Sequence, residues 1–528
     1  MEKPDGQSLK MRNLVVAGAA LQLDITLHSH VVQKVALAFP LSKNINEKEY
    51  TRRAEAILLK DLELEPGQSP LTKTLDRFYA NLERLATLDK LSAMPWLDLQ
   101  EALAGICTSL QSIHEWDMEK IRADPLMAGK DETFLLNVAT CERHGHPLMH
   151  ARDRVGLNLD YWIQRHLLKP PETPAMGKWL EKHEDTWSLL IGCAPMGEMV
   201  YTPVRISSAW ISPTVEKADP GPEDVLHATT GTVLDWLEPE ATMNEENKMY
   251  PEVIFRACLE PSVILPQPVW MQMLQMMSME PTYTYPQATF DSLFFPIPPT
   301  ENHDPSAPRT LEHWKDVVVR SRAGKASTKR HKNTLYVYKP VYGQVLSELP
   351  FSHPKQLIAL LPTLRQYALL STLLKRSFGT TDKATKKSQD PGSENGSTAV
   401  PKKQELDAFS SLHPPATSSS APTDDGPKST ANDDVFPMDV TLTVHPATRL
   451  NVVFPIGSKS ANIHIDVGPN GKIRVVSQNI LPDGVNGVDG YPAGKGKGRQ
   501  YTAEDLARVL EYFEDLDEWC QWIRTRVV

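Results

Sequence analysis

Apolar residues recur at three- and four-residue steps through Leu71, Leu75, Phe78, Leu82 and Leu85, which predicts a helix with one apolar face. A second run, Leu99, Leu103, Ile106, Leu110 and Ile113, repeats the pattern after Ser92-Ala93-Met94-Pro95, where Pro95 turns the chain. Two amphipathic helices joined by so short a link should pack antiparallel and bury their stripes together. Asp124-Pro125 closes the pair, and Thr133–Thr140 and Val155–Trp162 then read as strands.

Upstream, residues 12–40 read as a strand pair. Leu21, Leu23, Ile25 and Leu27 alternate with Gln22, Asp24, Thr26 and His28; Val31, Val35, Leu37 and Phe39 carry the second arm, and His28-Ser29-His30 the turn. The alternation continues through Lys10–Leu21, which otherwise mimics a targeting segment with its basic start and apolar run. Glu47–Leu62 reads as a helix with Asn46 as N-cap and Tyr50, Ala54, Ile57 and Leu58 on one face, broken by Pro66-Gly67. Downstream, Trp187–Ile191, Val204–Ile211, Val253–Leu259 and Thr334–Tyr338 read as strands, and Trp270–Met277 as a short helix. Glu216–Asp224 and Glu238–Glu246 read as acidic surface loops, and Pro299–Arg309 as a polar linker. His353-Pro354 opens a long helix to about Arg376.

Residues 378–435 are rich in Ser, Thr, Pro, Lys and Asp, with too few large apolar groups to offset chain entropy, and read as a disordered linker. Beyond it, Val440–His445, Arg449–Phe454, Ala461–Val467 and Lys472–Gln478 are four closely spaced strands, with Asn470-Gly471 as a hairpin turn. Thr502-Ala503-Glu504-Asp505 caps a last helix whose stripe is Leu506, Val509, Leu510, Phe513, Leu516, Trp519, Cys520 and Ile523. With the 355–376 helix ahead of it, this order of helix, four strands and helix resembles the small RWD and ubiquitin-conjugating-like folds.

Three stretches resemble fungal Mediator complex subunit 1: Leu75–Ser92, Gly145–Trp162 and Leu349–Tyr367. Weaker similarity lies around them and extends over most of the chain. The family usually carries a helical segment ahead of its first strands, whereas this chain starts almost at that strand. The resemblance implies a nuclear coactivator subunit of the Mediator middle module. Its partners would be other Mediator subunits, transcription activators and, indirectly, RNA polymerase II.

The bulk numbers agree with that reading. The 528 residues suffice for several domains, with 43 prolines against 27 glycines. A net charge of −10 argues against broad nucleic-acid binding. Five cysteines, Cys107, Cys141, Cys193, Cys258 and Cys520, lie far apart without a CxxC pair, as expected of free thiols. No stretch suggests a membrane helix.

Candidate chemistry is sparse. Cys141, His144, His146 and His150 are zinc-type ligands within ten residues, but their spacing fits no closed zinc pattern and a turn with a strand is the better reading. Gly494–Arg499 lacks the spacing and the Ser or Thr of a phosphate loop. His114-Glu115 and His183-Glu184 lack the second His of a metalloprotease. Leu357–Leu361 and Leu370–Leu374 are L-x-x-L-L runs that could fill a partner's groove, although core packing is the better reading. The same holds for Met271, Met273, Met276, Met277 and Met279. From Arg309 to Lys339 nine basic residues face two acidic ones, and Thr328–Lys332 could meet an acidic partner or an import receptor. A ubiquitin-conjugating enzyme would need a nucleophile after the strands; Cys520 sits instead on the last helix's apolar stripe.

The expectation is therefore a multidomain α+β protein, with antiparallel sheets and packed amphipathic helices, divided at 12–165, 166–310, 311–377, 378–435 and 436–528. It should hold no catalytic, cofactor or metal site and should not be an enzyme. The alternatives are a ubiquitin-conjugating-like adaptor or enzyme and a cytosolic protein-binding module.

Overall fold

The computed structural model describes residues 11–28, 31–39, 47–92, 94, 96–164, 186–197, 202–221, 232–243, 249–277, 279, 288–298, 303–320, 326–379, 435–481 and 501–527. Residues 380–434 of the expected linker, the Gly494–Arg499 loop, His183, Asn46 and Pro95 lie outside them; Phe378 and Val435, placed in the linker, belong to a helix and a strand instead.

The chain opens with three strands, not two: β1 (Met11–Ala17), β2 (Gln22–His28) and β3 (Val31–Ala38), in antiparallel order β1-β2-β3. The bend between β1 and β2 is invisible locally because a distant carboxylate makes it. Asp89 accepts from the backbone N–H groups of Ala19, Ala20 and Leu21 at 3.0, 2.6 and 3.1 Å. Helix α1 (Glu47–Leu62) follows as expected, with Tyr50, Ala54, Ile57 and Leu58 buried.

The helix pair is present, but its packing differs. Helix α2 spans Asp76–Leu91, so Leu71 and Leu75 precede it, and Leu71 is 96% exposed. Helix α3 is Leu99–Ala123, its first turn held by Asp98 accepting from Glu101 N at 2.9 Å. The two stripes do not bury each other. Phe78, Leu82 and Leu85 of α2 join a small core with α1, β2 and β3. Leu99, Leu103, Ile106, Leu110 and Ile113 of α3 enter the large core instead. Thr133–Thr140, expected as a strand, lies in helix α4 (Glu132–Glu142). Asp131 caps it by accepting from Phe134 N at 2.8 Å, and α3 packs along it.

Five antiparallel strands form the central sheet, in order β12-β9-β6-β5-β4. They are β4 (His146–Ala151), β5 (Arg154–Ile163), β6 (Thr186–Pro195), β9 (Val253–Pro266) and β12 (Gly343–Phe351). The small pair β7 (Ile211–Glu216) and β8 (Leu234–Trp236) stands apart. Val204–Trp210, expected as strand, is irregular; Ile206 N donates to Thr242 Oγ1 rather than to a neighbouring strand. Helices α5 (Gln267–Met276) and α6 (Phe290–Phe294) follow β9.

The basic stretch is not a loop. It is a hairpin of β10 (Arg309–Arg320) and β11 (Ala326–Val337), paired from Arg309↔Val337 to Arg320↔Ala326. The C-terminal strands β13 (Val435–Thr443), β14 (Arg449–Ile456), β15 (Lys459–Val467) and β16 (Ile473–Gln478) extend that hairpin into a six-stranded sheet, β10-β11-β13-β14-β15-β16. The β11–β13 junction is its one parallel pairing. The block after the linker is thus no separate four-strand unit. Asn470 and Gly471 take φ of 58° and 62° at the β15–β16 turn, as an Asn-Gly turn requires. The last helix is two: α8 (Ala503–Phe513) and α9 (Leu516–Arg526). Glu514 is left-handed at φ 52° and Asp515 starts a new cap on Asp517 N and Glu518 N, so one stripe bends over the sheet.

Helix α7 (Pro354–Phe378) joins the parts. It is long and apolar enough by composition to cross a membrane, contrary to expectation, yet 72% of its most apolar window is buried by this chain. His353 and Gln356 cap its start. At mid-helix the fully buried Arg365 donates Nε–H to Tyr161 O of β5 (2.9 Å) and Nη1–H to Asn470 Oδ1 (2.7 Å). Its Nη2 donates to Thr140 O and Arg143 O at the end of α4 (2.9 and 2.6 Å). Guanidinium charge at a helix C-terminus is favourable, and these bonds repay its desolvation. Replacement by Met orphans several buried carbonyls at about 1–3 kcal/mol each. Arg365→Met is expected to lower the unfolding free energy in urea by at least about 3 kcal/mol.

Candidate interaction surfaces

The candidate ligand and nucleophile side chains are each occupied separately. Cys141 Sγ donates to Ile163 O at 3.4 Å and accepts from Ile163 N at 3.3 Å. His144 bonds Asp117 Oδ2 through its backbone N–H at 3.1 Å and through Nδ1 at 2.9 Å. His146 stacks on His114 with centroids 4.6 Å apart, and burial, reinforced by His114, lowers it to about 3. His150 Nδ1 accepts from Gly156 N at 3.0 Å, and burial lowers that ring to about 3 as well. Among the described residues no three His, Cys, Asp or Glu side chains converge as a metal would need.

Cys520 is fully buried with Sγ 3.5 Å from Met438 Sδ, and burial pushes its thiol well up. A thiol so placed is no nucleophile. Both leucine runs are core: Leu357, Leu360, Leu361, Leu370, Leu373 and Leu374 are buried, so neither can fill a partner's groove. Of the methionines, Met273 and Met277 are buried and Met276 is exposed.

Two cations of the basic hairpin, Lys315 and Arg309, turn inward onto other elements. Lys315 Nζ reaches Asp515 Oδ2 at 2.9 Å and Asp517 Oδ2 at 3.2 Å. Buried Asp517 also accepts from Asn333 Nδ2 at 2.8 Å and from His331 Nδ1 at 2.8 Å. Gln521 Nε2 can only donate, so His331 Nε2 accepts from it at 2.8 Å and the ring proton sits on Nδ1. Burial alone would raise the Asp517 carboxyl, but the His331 bond and the Lys315 charge hold it below its usual value. Arg309 binds Asp291 at 3.0 Å, whereas Lys332 binds Glu312 across the hairpin itself at 3.0 Å. Lys315 and Arg309 therefore fasten the hairpin to α9 and α6, a role hidden from sequence because Asp515 and Asp517 lie about 200 residues away.

Among the described residues, two strands present exposed apolar groups of note. On the hairpin's outer face Trp314 is 46% exposed, with Arg330 5.0 Å and Lys332 5.8 Å from its ring centroid. At the other end every residue of β1 is exposed, including Leu14 at 54% and Val15 at 55%. Among the described residues β1 pairs only with β2, so its outer edge is free for another strand.

A family model for subunit 1 of Mediator of RNA polymerase II transcription matches residues 2–379. The chain belongs to the Mediator subunit 1 family. It is a subunit of that transcription coactivator complex. The match runs from before β1 to the end of α7 and takes in the three stretches that carry the resemblance in sequence. Beyond it, β13 continues a sheet begun by the matched β10 and β11. No individually curated protein matches the chain.

If the leucine runs are core, Leu373→Ala should cost about 2–5 kcal/mol of stability, measured by urea unfolding. Proton linkage offers a second check. His353 is buried, with Nε2 donating to Leu237 O at 2.8 Å, and burial lowers it to about 4 despite that bond. Like His150 it is neutral when folded, whereas the unfolded ring titrates near 6.5. The folded state then binds fewer protons, so stability falls as pH drops below about 6.5 and levels off only below the folded values. Each ring costs up to about 2 kcal/mol at pH 5, and the melting temperature should fall between pH 7 and pH 5.

Proposed function

We propose that this Mediator subunit is a docking scaffold without enzymatic activity, working in the nucleus within the middle module. It contacts other Mediator subunits and links gene-specific activators to RNA polymerase II. The observation that carries the reading is the family match over residues 2–379. The burial of Cys520, Cys141 and the leucine runs supports it, since reactive or groove-filling groups are spent on the core. The resemblance of Leu75–Ser92, Gly145–Trp162 and Leu349–Tyr367 supports a place in the fungal branch of the family. The regions 12–165, 166–310, 311–377 and 436–528 would carry separate contacts.

β1 supplies the most exposed apolar strand for such docking. The test is affinity purification of the tagged chain from nuclear extract in mild salt, comparing wild type with a Leu14→Asp, Val16→Asp double variant. Wild type is expected to recover a large, roughly stoichiometric set of Mediator subunits. The variant should recover less while its stability stays within about 0.5 kcal/mol, as for surface changes generally. A lone monomer, or a small set unrelated to transcription, sinks the scaffold reading. Equal recovery by the two proteins removes β1 from it.

A further inference from the structure

Helix α2 does not close down on the central sheet. Between them lies a half-open, mainly apolar cleft of about 360 Å³. That is more than twice the roughly 150 Å³ of an apolar cavity that takes a benzene ring, and within the range of small-molecule pockets. The floor is bare backbone. Leu157 pairs with Ile191, which sets Gly156 across from Gly192, and Gly192 pairs with Arg256 on the next strand. Glycine inside a strand marks a bulge, a tight bend or a place where something else approaches the backbone. The two glycines differ. A Cβ on Gly156 would lie 2.9 Å from Leu190 Cδ1, and its φ of +138° resists a side chain. A Cβ on Gly192 would meet nothing within 4 Å, so the space above it is unfilled by the protein. Leu85 and Leu88 of α2 form the roof, and Met149 closes one side.

The mouth is charged but unevenly paired. Arg256 has Glu348 at 3.2 Å, and Glu83 stands on the α2 side. Arg84 donates to the neutral Asn81 Oδ1 at 2.8 Å, and its nearest carboxylate, Glu260, is 3.9 Å away and in close contact with Arg154. Burial, opposed by Glu260, lowers the Arg84 guanidinium from its usual value. The Arg84 cation is thus half-desolvated beside an apolar hole, with one neutral partner in hydrogen-bond range. The geometry points to a binding site for a small amphipathic monoanion: a ring- or chain-bearing body over Gly192, with a carboxylate or sulfonate head at Arg84. Such a ligand fills the apolar space and gives Arg84 the charge-assisted bond it lacks. This site is independent of the docking role, and subunit recovery is not its readout.

The probes are 1-anilinonaphthalene-8-sulfonate and its neutral relative N-phenyl-1-naphthylamine, titrated by fluorescence against the full chain. One saturable sulfonate site per chain is expected. Gly192→Leu, which fills the cleft at a position free of backbone strain, should weaken both probes at least tenfold with an unchanged melting temperature. Arg84→Gln should weaken the sulfonate several-fold and leave the neutral probe unchanged. A folded Gly192→Leu chain that binds like wild type overturns the site; equal loss of both probes in Arg84→Gln overturns the anionic head. Wild type provides a check that needs no variant. Cys258 and Cys193 both line the cleft, but Cys258 is half-buried, while Cys193, like Cys107, Cys141 and Cys520, is buried. Saturating sulfonate probe should slow N-ethylmaleimide labelling of Cys258 several-fold, and an unchanged rate overturns the assignment.

Discussion

A single buried cation ties this protein together. Arg365 stands at the middle of α7, and its donors reach β5, the end of α4 and the β15–β16 turn. Those acceptors come from positions 140 to 470, so the bond set forms only when the central sheet, the α4 helix end and the six-stranded sheet are assembled around α7. A guanidinium suits the place because its planar fork serves several carbonyls at once, which an ammonium or an apolar side chain cannot. The turn residue Asn470 is fixed twice, by its left-handed backbone and by Arg365. Next to it Gly471 leaves no space for a Cβ, which would lie 2.5 Å from the Trp162 ring. Backbone geometry and the buried charge thus specify the same contact.

A second network does the same at the far end of the six-stranded sheet. Lys315, His331 and Asn333 on the hairpin converge on Asp517 of α9. Buried charges of this kind are costly unless every partner is present, so they favour one arrangement over near alternatives. The result is a large continuous core that runs from α3 to α9, with a smaller core under β2 and β3. For a coactivator subunit this is a packed body that presents edges and faces. β1, the Trp314 face and the cleft under α2 are the places where that body remains incomplete.

Elements with a clean local signal were legible in the sequence. Helix α1 follows from its period, helix α7 from its period and its start at His353, and strands β14 to β16 from alternation and their Asn-Gly turn. Failures fall where a distant group decides. The β1–β2 bend depends on Asp89, about 70 residues away. Thr133–Thr140 is a short stretch, interrupted by Asn137, that period cannot assign, and the cap at Asp131 with packing on α3 settles it as helix. The hairpin at 309–337 was hidden because its inward cations need carboxylates from α9 to become core. The α8–α9 break was hidden because one apolar stripe continues through it; only the left-handed Glu514 and the Asp515 cap divide it. The cleft was not legible, since its floor is two glycines whose pairing arises from the fold.

Helix α7, through Arg365, makes the two large sheets one cooperative unit. Native-state hydrogen exchange on the full chain is the decisive measurement, because cooperative units exchange with a common opening free energy. Amides of β5, α7 and β15 should open together, at a single free energy that responds alike to low concentrations of urea. If β15 exchanges through an opening well below that of β5 and α7, the six-stranded sheet is an independent unit and the account of Arg365 as its fastening is wrong.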